Sequence, residues 1–558
     1  MSNAIAQPDI GSPVLPADLP LGFPLDFPLD FPTERPPAPD APTAPPPGSA
    51  EERRRFAELQ RRLVPLYDRV FPDKHAAQTV VVVPSMSLDK EELRKLTAAN
   101  HYEERLLCML MLLRLPRTHV VYVTSEPIPP AIIDYYLHLL PGIPPSHARR
   151  RLTLLSCHDG SLGVLTEKVL ARPRLLARIR AAIADPHAAH LTCFNATPLE
   201  RTLAVQLGIP LYATDPDLRH LGTKSGSREV FRQAGVALPA GFEHLRDADD
   251  VAEALAALKR ARPALRRAVV KLDDGFSGEG NAIFAFDGSP GGPRLARWVR
   301  AVLPSRARFE APGETWERYR EKFAAMGGIV ECFLEGGEVR SPSVQCRIDP
   351  LGRATVISTH DQLLGGPSGQ VFLGCTFPAH DDYRRDIQEA SLRVARVLAR
   401  DGAIGRFGID FLAVRRGERW ETSAIEINLR KGGTTHPFLM LQFLTDGMYD
   451  PETGRYRTLT GRTRYYRASD NLGGPAYRGL TPDELIDIAV SNDLHYDAAT
   501  QQGVMFHLIG ALPRYGKLGA VCIGESHATA EQYFRTTVSV LNREAGRRGG
   551  STIRARAD

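Results

Sequence analysis

Between residues 79 and 197 the chain repeats a pattern that few folds accept: a short apolar run, a helical segment, then another apolar run. The runs are TVVVVPSM (79–86), HVVYVTSE (119–126), RLTLLSCHD (151–159) and AHLTCFNAT (189–197). Between them lie KEELRKLTAANHYEERLLCMLMLLR, PAIIDYYLHLL and EKVLARPRLLARIRAAI. Alternating strand and helix predicts a parallel sheet with helices on both faces. No GxGxxG follows the first strand, so a dinucleotide fingerprint is missing, and the region reads as a supporting α/β domain.

At 558 residues the chain is long for one core, which argues for several domains. The net charge is +5, from 70 Lys+Arg against 65 Asp+Glu, without long basic blocks, and that speaks against nucleic acid as a partner. Seven scattered cysteines without a CxxC read as reduced, buried thiols of a cytoplasmic protein. The longest apolar run, LLCMLMLL at 106–113, is too short to span a bilayer, and no signal peptide or membrane segment is expected. The first 50 residues hold 14 prolines, including GFPLDFPLDFP at 22–32, so residues 1–52 are expected to be a disordered tail.

Further on, single charged residues stand inside apolar runs. Lys224 precedes a short amphipathic helix in GTKSGSREVFRQAGVALPAGFE (222–243), and Lys271 sits on the first arm of AVVKLDDGFSGEGNAIFAF (268–286). The second stretch reads as a hairpin; its Gly/Ser turn is either a plain turn or a cradle of backbone N–H groups for a phosphate. A buried ammonium such as Lys271 requires a partner. In GGIVECFLEGGEVRSPSVQCRIDPLG (327–352), Glu331 is flanked by apolar residues and Glu338 follows a Gly-Gly turn. RFGIDFLAV (406–414) and AIEINLRKGGTTHP (424–437) then bring Asp410 and Glu426 face to face on a hairpin, with Asn428 beside them. Two carboxylates and an amide in apolar surroundings are satisfied by a divalent metal; the other reading is a surface salt-bridge pair. Oxygen-only ligands suit magnesium.

In that order, a Lys before a helix, a Lys on a strand before a glycine loop, a Glu-bearing linker and Asp…Glu-x-Asn resemble the ATP-grasp pattern over residues 222–437. With VVKLDDGFSGEGNAIF, EINLRKGGTTHPF and LIGALPRYGKLGAVCIGES, the whole chain is similar to the pheganomycin-type peptide ligases. The resemblance implies a multidomain α/β and α+β protein. A Rossmann-like pre-ATP-grasp α/β domain (53–216) would precede an ATP-grasp domain (217–450), and a small C-terminal α+β lobe (451–558) would follow. It implies ATP and Mg2+ as cofactors. Lys224 and Lys271 would hold the phosphates, and the loop of Gly275, Ser277, Gly278 and Gly280 would close over them. Glu331, Cys332, Phe333 and Leu334 would form the adenine linker, with Glu338 on the ribose. Asp410, Glu426 and Asn428 would hold magnesium, and Arg430 would meet the phosphoryl group. One departure stands out: many D-alanine-ligase-like members of the family place Arg two residues before the Asp, where this chain has Gly408, and Arg406, four before, is the nearest candidate for that role.

The reaction so implied is peptide or amide bond formation in natural-product biosynthesis. A carboxylate attacks the γ-phosphate of ATP, and an amine captures the acyl phosphate, releasing ADP and phosphate. Charge neutralisation and positioning carry most of such a reaction. His436, next to the metal-binding strand, is the first candidate to handle the amine proton, ahead of His360 and His507. Substrates would be small amino acids or peptides, and a homo-oligomer is compatible with the sequence. A phosphotransferase acting on a hydroxyl, or a nucleotide-binding scaffold without chemistry, uses the same nucleotide residues. The C-terminal lobe either caps the site or supports the fold.

Overall fold

A computed structural model of the protein describes residues 44–88, 90–275, 280–311, 313–365 and 371–554. Most of the proline-rich stretch lies outside the described residues, but its expected end at 52 is corrected. Helix Ala50–Gln60 begins earlier, with the Ser49 hydroxyl accepting the Glu52 N–H at 3.1 Å. Glu52 is fully buried and accepts from the Gly48 N–H at 2.7 Å and the Thr202 hydroxyl at 2.6 Å. Ser-x-x-Glu is a helix-start signal, and it lies at the end of the proline run.

The predicted parallel sheet is present, with strands Gln78–Val83 (β1), Thr118–Thr124 (β2), Leu152–Ser156 (β3) and Ala189–Cys193 (β4) in the order β3-β2-β1-β4. Side chains alternate across a strand, so each strand feeds two cores. Val80, Val82, Val120 and Tyr122 pack with Leu106, Leu110 and Ile133 on one face; Val81, Val83, Val121 and Val123 pack with Val169, Ile179 and Leu203 on the other. That two-sided burial is why these strands read as unbroken apolar runs. The first connection is not one long α-helix. It is helix Lys90–Lys95, a left-handed residue at Ala98 (φ 64°), and a 3-10 helix over Ala99–Arg114 that carries Tyr102 and Arg105. The third connection is split into Leu165–Leu170 and Pro173–Ala181, because proline lacks the N–H needed to continue a helix but suits a first turn.

Strands Gly241–Leu245 (β5), Arg267–Leu272 (β6), Asn281–Ala285 (β7), Arg308–Phe309 (β8) and Gly328–Cys332 (β9) form a second, antiparallel sheet in the order β5-β9-β6-β7-β8. The third sheet begins with Val339–Ile348 (β10), Ala354–Gly365 (β11), Val371–Phe377 (β12), Gly405–Arg416 (β13) and Arg419–Asn428 (β14). After a small ribbon, Met448–Asp450 (β15) with Arg455–Arg457 (β16), the C-terminal region adds Tyr465–Gly473 (β17), Gly503–His507 (β18) and Lys517–Gly524 (β19). These join the same sheet, giving the order β14-β13-β10-β11-β12-β17-β19-β18. The C-terminal strands extend the existing sheet instead of building one of their own. All seven cysteines are buried and unpaired. Among the described residues no helix is long and apolar enough to cross a membrane.

Candidate active site

An open cavity of about 1190 Å3 is walled by the two antiparallel sheets and by the 3-10 segment. Its floor is the β13–β14 hairpin. Asp410 and Glu426 are direct partners in the antiparallel register, and Asn428 pairs with Gly408 two residues further on. The register shifts between Asp410 and Phe411, leaving Ile425 as the extra residue of a bulge. Both Ile425 and Glu426 therefore line the cavity, although a regular strand would send one of them away. Asp410 accepts from the Gln362 amide at 2.9 Å and from the Asn428 amide at 2.8 Å. Lys224 donates to Glu426 at 2.5 Å. Burial, and after it the adjacent Glu426 charge, pushes the Asp410 carboxyl up to about 7. A second negative charge in this wall is costly, and a divalent cation between the two carboxylates would remove the cost. Among the described residues no cluster of three or more His, Cys, Asp or Glu side chains is arranged for a metal. The donor set here is two carboxylates and an amide, all oxygen, which suits a hard cation.

Lys224 is the first residue of helix Lys224–Gln233, capped by Thr223, whose hydroxyl accepts the Gly226 N–H at 3.0 Å. A Cβ on Gly226 would stand 2.0 Å from the His220 carbonyl oxygen, so only glycine lets the helix begin this close to the preceding turn. On the opposite wall Lys271 pairs with Glu331 at 2.5 Å, and Arg228 takes the other Glu331 oxygen at 3.0 Å. Lys224, Lys271, Gly275, Gly280, Glu331, Cys332, Phe333 and Leu334 all line the cavity. The predicted β6–β7 hairpin is present, with Lys271 opposite Asn281. Ser277 and Gly278 lie outside the described residues.

Three expected site residues are not on the cavity wall. Glu338 pairs with Arg340 at 2.7 Å and Arg415 at 3.5 Å; Arg340 lines the cavity and Glu338 stands behind it. Arg406 is the register partner of Arg347 across β10 and β13 and is not among the residues that line the cavity; burial together with that neighbouring cation pulls it down to about 10. Its place in the pattern, position 408, has no room for a side chain. A Cβ there would meet the Gln345 amide nitrogen at 2.8 Å, and that amide is locked by Thr434 at 2.7 Å and Thr435 at 2.8 Å. His436 is buried against His507, ring centroids 4.7 Å apart, and its Nδ1 has no hydrogen-bond partner among the described residues. Burial holds His436 well below its ordinary range and His507 at about 3. His360 is likewise buried, with Tyr466 at 2.8 Å, and burial holds it at about 3. Among the described residues no histidine lines the cavity, so the proton role expected of His436 is withdrawn.

Sequence reasoning missed the wall formed by Tyr102, Arg105, Asp470, Asn471 and Lys517. Arg105 and Asp470 form a buried ion pair across 365 residues. Arg430 lies on the cavity wall, within electrostatic reach of Glu426, Asp410 and Arg105, and so links this wall to the floor. Lys431 is a structural cation: buried, it donates to the Cys193 carbonyl at 2.5 Å and to Thr192 at 3.2 Å, tying the end of β14 to β4. No local motif announces any of these residues except Arg430.

Residues 216–287 and 299–452 match a family model described as IQCH-like, ATP-grasp, and residues 484–537 match one described as PGM1 C-terminal domain. The chain is 23% identical over 519 residues to IQ motif-containing protein H of Danio rerio, covering 84% of this chain and 49% of that one. A crystal structure of biotin carboxylase from Campylobacter jejuni with an ATP analogue superposes with a TM-score of 0.48 at 12% identity, covering 85% of this chain and 96% of that one. Over 473 residues, 83% of this chain and 94% of the other, it is 32% identical to the L-propargylglycine--L-glutamate ligase of Streptantibioticus cattleyicolor. At that identity, over nearly the whole length of the relative, the chain belongs to the ATP-grasp family, among its pheganomycin-type ligases.

Proposed function

We propose that this ATP-dependent carboxylate-amine ligase joins two small amino acids, with L-glutamate or a close analogue as one of them. The observation that carries the reading is the opposed Asp410–Glu426 pair on the floor of a cavity that also holds Lys224 and Lys271. The choice of substrate class is supported by the name of the relative that is 32% identical. Adenine would lie along the backbone of Glu331, Cys332, Phe333 and Leu334, and the phosphates would reach Lys224, Lys271 and the glycine loop. Asp410, Glu426 and Asn428 would hold magnesium, which when bound supplies positive charge to the phosphate oxygens.

The substrate carboxylate oxygen attacks the γ-phosphorus, the bond from that phosphorus to the β,γ-bridging oxygen breaks, and ADP departs with the electron pair. Lys224 and Lys271 offset the charge that shifts onto ADP, and Arg430 faces the transferred group. The amine then attacks the acyl carbon, phosphate leaves, and the amine proton goes to the departing phosphate or to solvent. No buried histidine takes part.

The test is release of ADP and phosphate that requires both an acid and an amine, with a product whose mass is the sum of the two less water. Oxygen-18 in the substrate carboxylate should appear in the released phosphate. AMP and pyrophosphate as products, or phosphate released onto a hydroxyl acceptor, would overturn the reading.

A further inference from the structure

The cations on the cavity wall differ in how they are neutralised. Lys224 pairs with Glu426, Lys271 with Glu331, Arg105 with Asp470 and Arg340 with Glu338. Lys517, on β19, donates to the Tyr102 hydroxyl at 2.8 Å and stands 5.0 Å from that ring's centroid, and it forms no ion pair among the described residues. A half-buried ammonium on a cavity wall, held by a hydroxyl and by no carboxylate among the described residues, calls for an anion from outside the chain.

Its setting is rigid. The Arg105 guanidinium carbon lies 3.9 Å from the centroid of the Tyr102 ring, and Arg105 is pinned in turn by Asp470. Two cations on one aromatic ring fix its position through the attraction of positive charge to the π face. Arg105 is itself buried, and its Nε has no hydrogen-bond partner among the described residues. The ammonium is thus held by a hydroxyl that competes weakly for it, beside a wall that joins the floor through Arg430.

We infer that Lys517, anchored on Tyr102, binds the α-carboxylate that an amino-acid substrate keeps through the reaction. The inference rests on the ligase reading. Forming a peptide bond consumes one carboxylate and leaves at least one on the product, so every productive pair of amino acids brings such an anion into the cavity. That anion belongs either to the amino acid supplying the amine or to one activated through its side chain, and Lys517 recognises the same chemistry in both cases. Lys517 is then a specificity-determining residue, separate from the phosphate-handling lysines.

The test compares wild type with Lys517→Met, which keeps length and removes charge, and with Tyr102→Phe, which removes only the anchoring hydroxyl. Substrates are L-glutamate with the neutral L-amino acid that wild type uses best, each then replaced by its α-carboxamide. In Lys517→Met the KM for one of the two amino acids should rise on the order of 30-fold, with the KM for ATP unchanged. For that amino acid, wild type should reject the carboxamide and the variant should accept acid and carboxamide alike. Which carboxamide shows the effect identifies the amino acid that Lys517 reads. Tyr102→Phe should shift the same KM in the same direction by a smaller factor, and it carries the test if Lys517→Met does not fold. An unchanged preference for acid over carboxamide, for both substrates, overturns the inference while leaving the ligase reading intact. A wild type that releases no ADP with any amino-acid pair overturns the ligase reading and this inference with it.

Discussion

Buried carboxylates occur both around the parallel sheet and on the β13–β14 hairpin, and they are satisfied in opposite ways. Glu200, fully buried, accepts four hydrogen bonds: from the hydroxyls of Ser87 at 2.5 Å, Thr166 at 2.6 Å and Thr197 at 2.6 Å, and from the Thr197 N–H at 2.8 Å. Glu103 accepts from the N–H and the hydroxyl of Ser125, each at 2.6 Å. On the hairpin, Asp410 has one amide donor for each oxygen and Glu426, among the described residues, has Lys224 alone, while the two charges face each other. A carboxylate saturated by neighbouring hydroxyls is a finished piece of structure. One that shares a cavity wall with another carboxylate, and with few donors, keeps lone pairs available for a cation.

Exchanging carboxylate for amide in each region separates the two cases. Glu426→Gln should lower kcat for ADP release by about 10^3-fold. It should leave the melting temperature near that of wild type, since the amide oxygen can still accept from Lys224 and the repulsion between the two carboxylates is removed. Near-normal turnover in saturating magnesium would erase the distinction. Glu200→Gln should do the reverse, costing about 1–3 kcal/mol of stability in urea denaturation, because an amide nitrogen now faces hydroxyls and an N–H that all donate. The KM for ATP should not move; a loss of activity without a loss of stability would place Glu200 in the chemistry. The smallest effect is a pH dependence. Burial pushes Glu103 up from 4.5 to about 7, so its contribution to stability is full below about 4.5 and is lost as pH rises through about 7. Glu103→Gln should flatten that decline relative to wild type, and parallel pH profiles for the two proteins would count against the assignment.

The floor of the site was legible because its chemistry is local: Glu426 and Asn428 lie two residues apart on one strand, and Asp410 sits on the strand that a short turn brings alongside. The parallel sheet was legible for the same reason, since two-sided burial leaves an unbroken apolar run. The bulge at Ile425 was not, because nothing in AIEIN marks an extra residue. Nor was the exclusion of Arg406, because the space at position 408 is filled by Gln345, from a different strand and held by Thr434 and Thr435. His436 follows β14 closely in sequence, yet helix Thr435–Thr445 carries it straight into the core. Lys517 and Tyr102 are 415 residues apart, and only the closed fold makes them neighbours.

Within the sheet, the C-terminal strands join the rest along a short seam. Where β12 meets β17 the ladder holds three register pairs, Cys375 with Ala468, Thr376 with Arg467 and Phe377 with Tyr466. To an engineer this makes the last hundred or so residues a poor candidate for a detachable module. Cutting the chain after residue 450 would strip β12 of one of its two neighbours and leave an apolar edge with open N–H and C=O groups, the kind of surface that recruits other chains. Exchanging the region between relatives would succeed only if the incoming β17 reproduced both that short register and the packing of Tyr466 on Phe377, whose rings are 5.0 Å apart. Such a truncation should come out of cells as aggregate; recovery of a soluble, monomeric ATP-binding fragment would show that the seam is weaker than its place in the sheet implies.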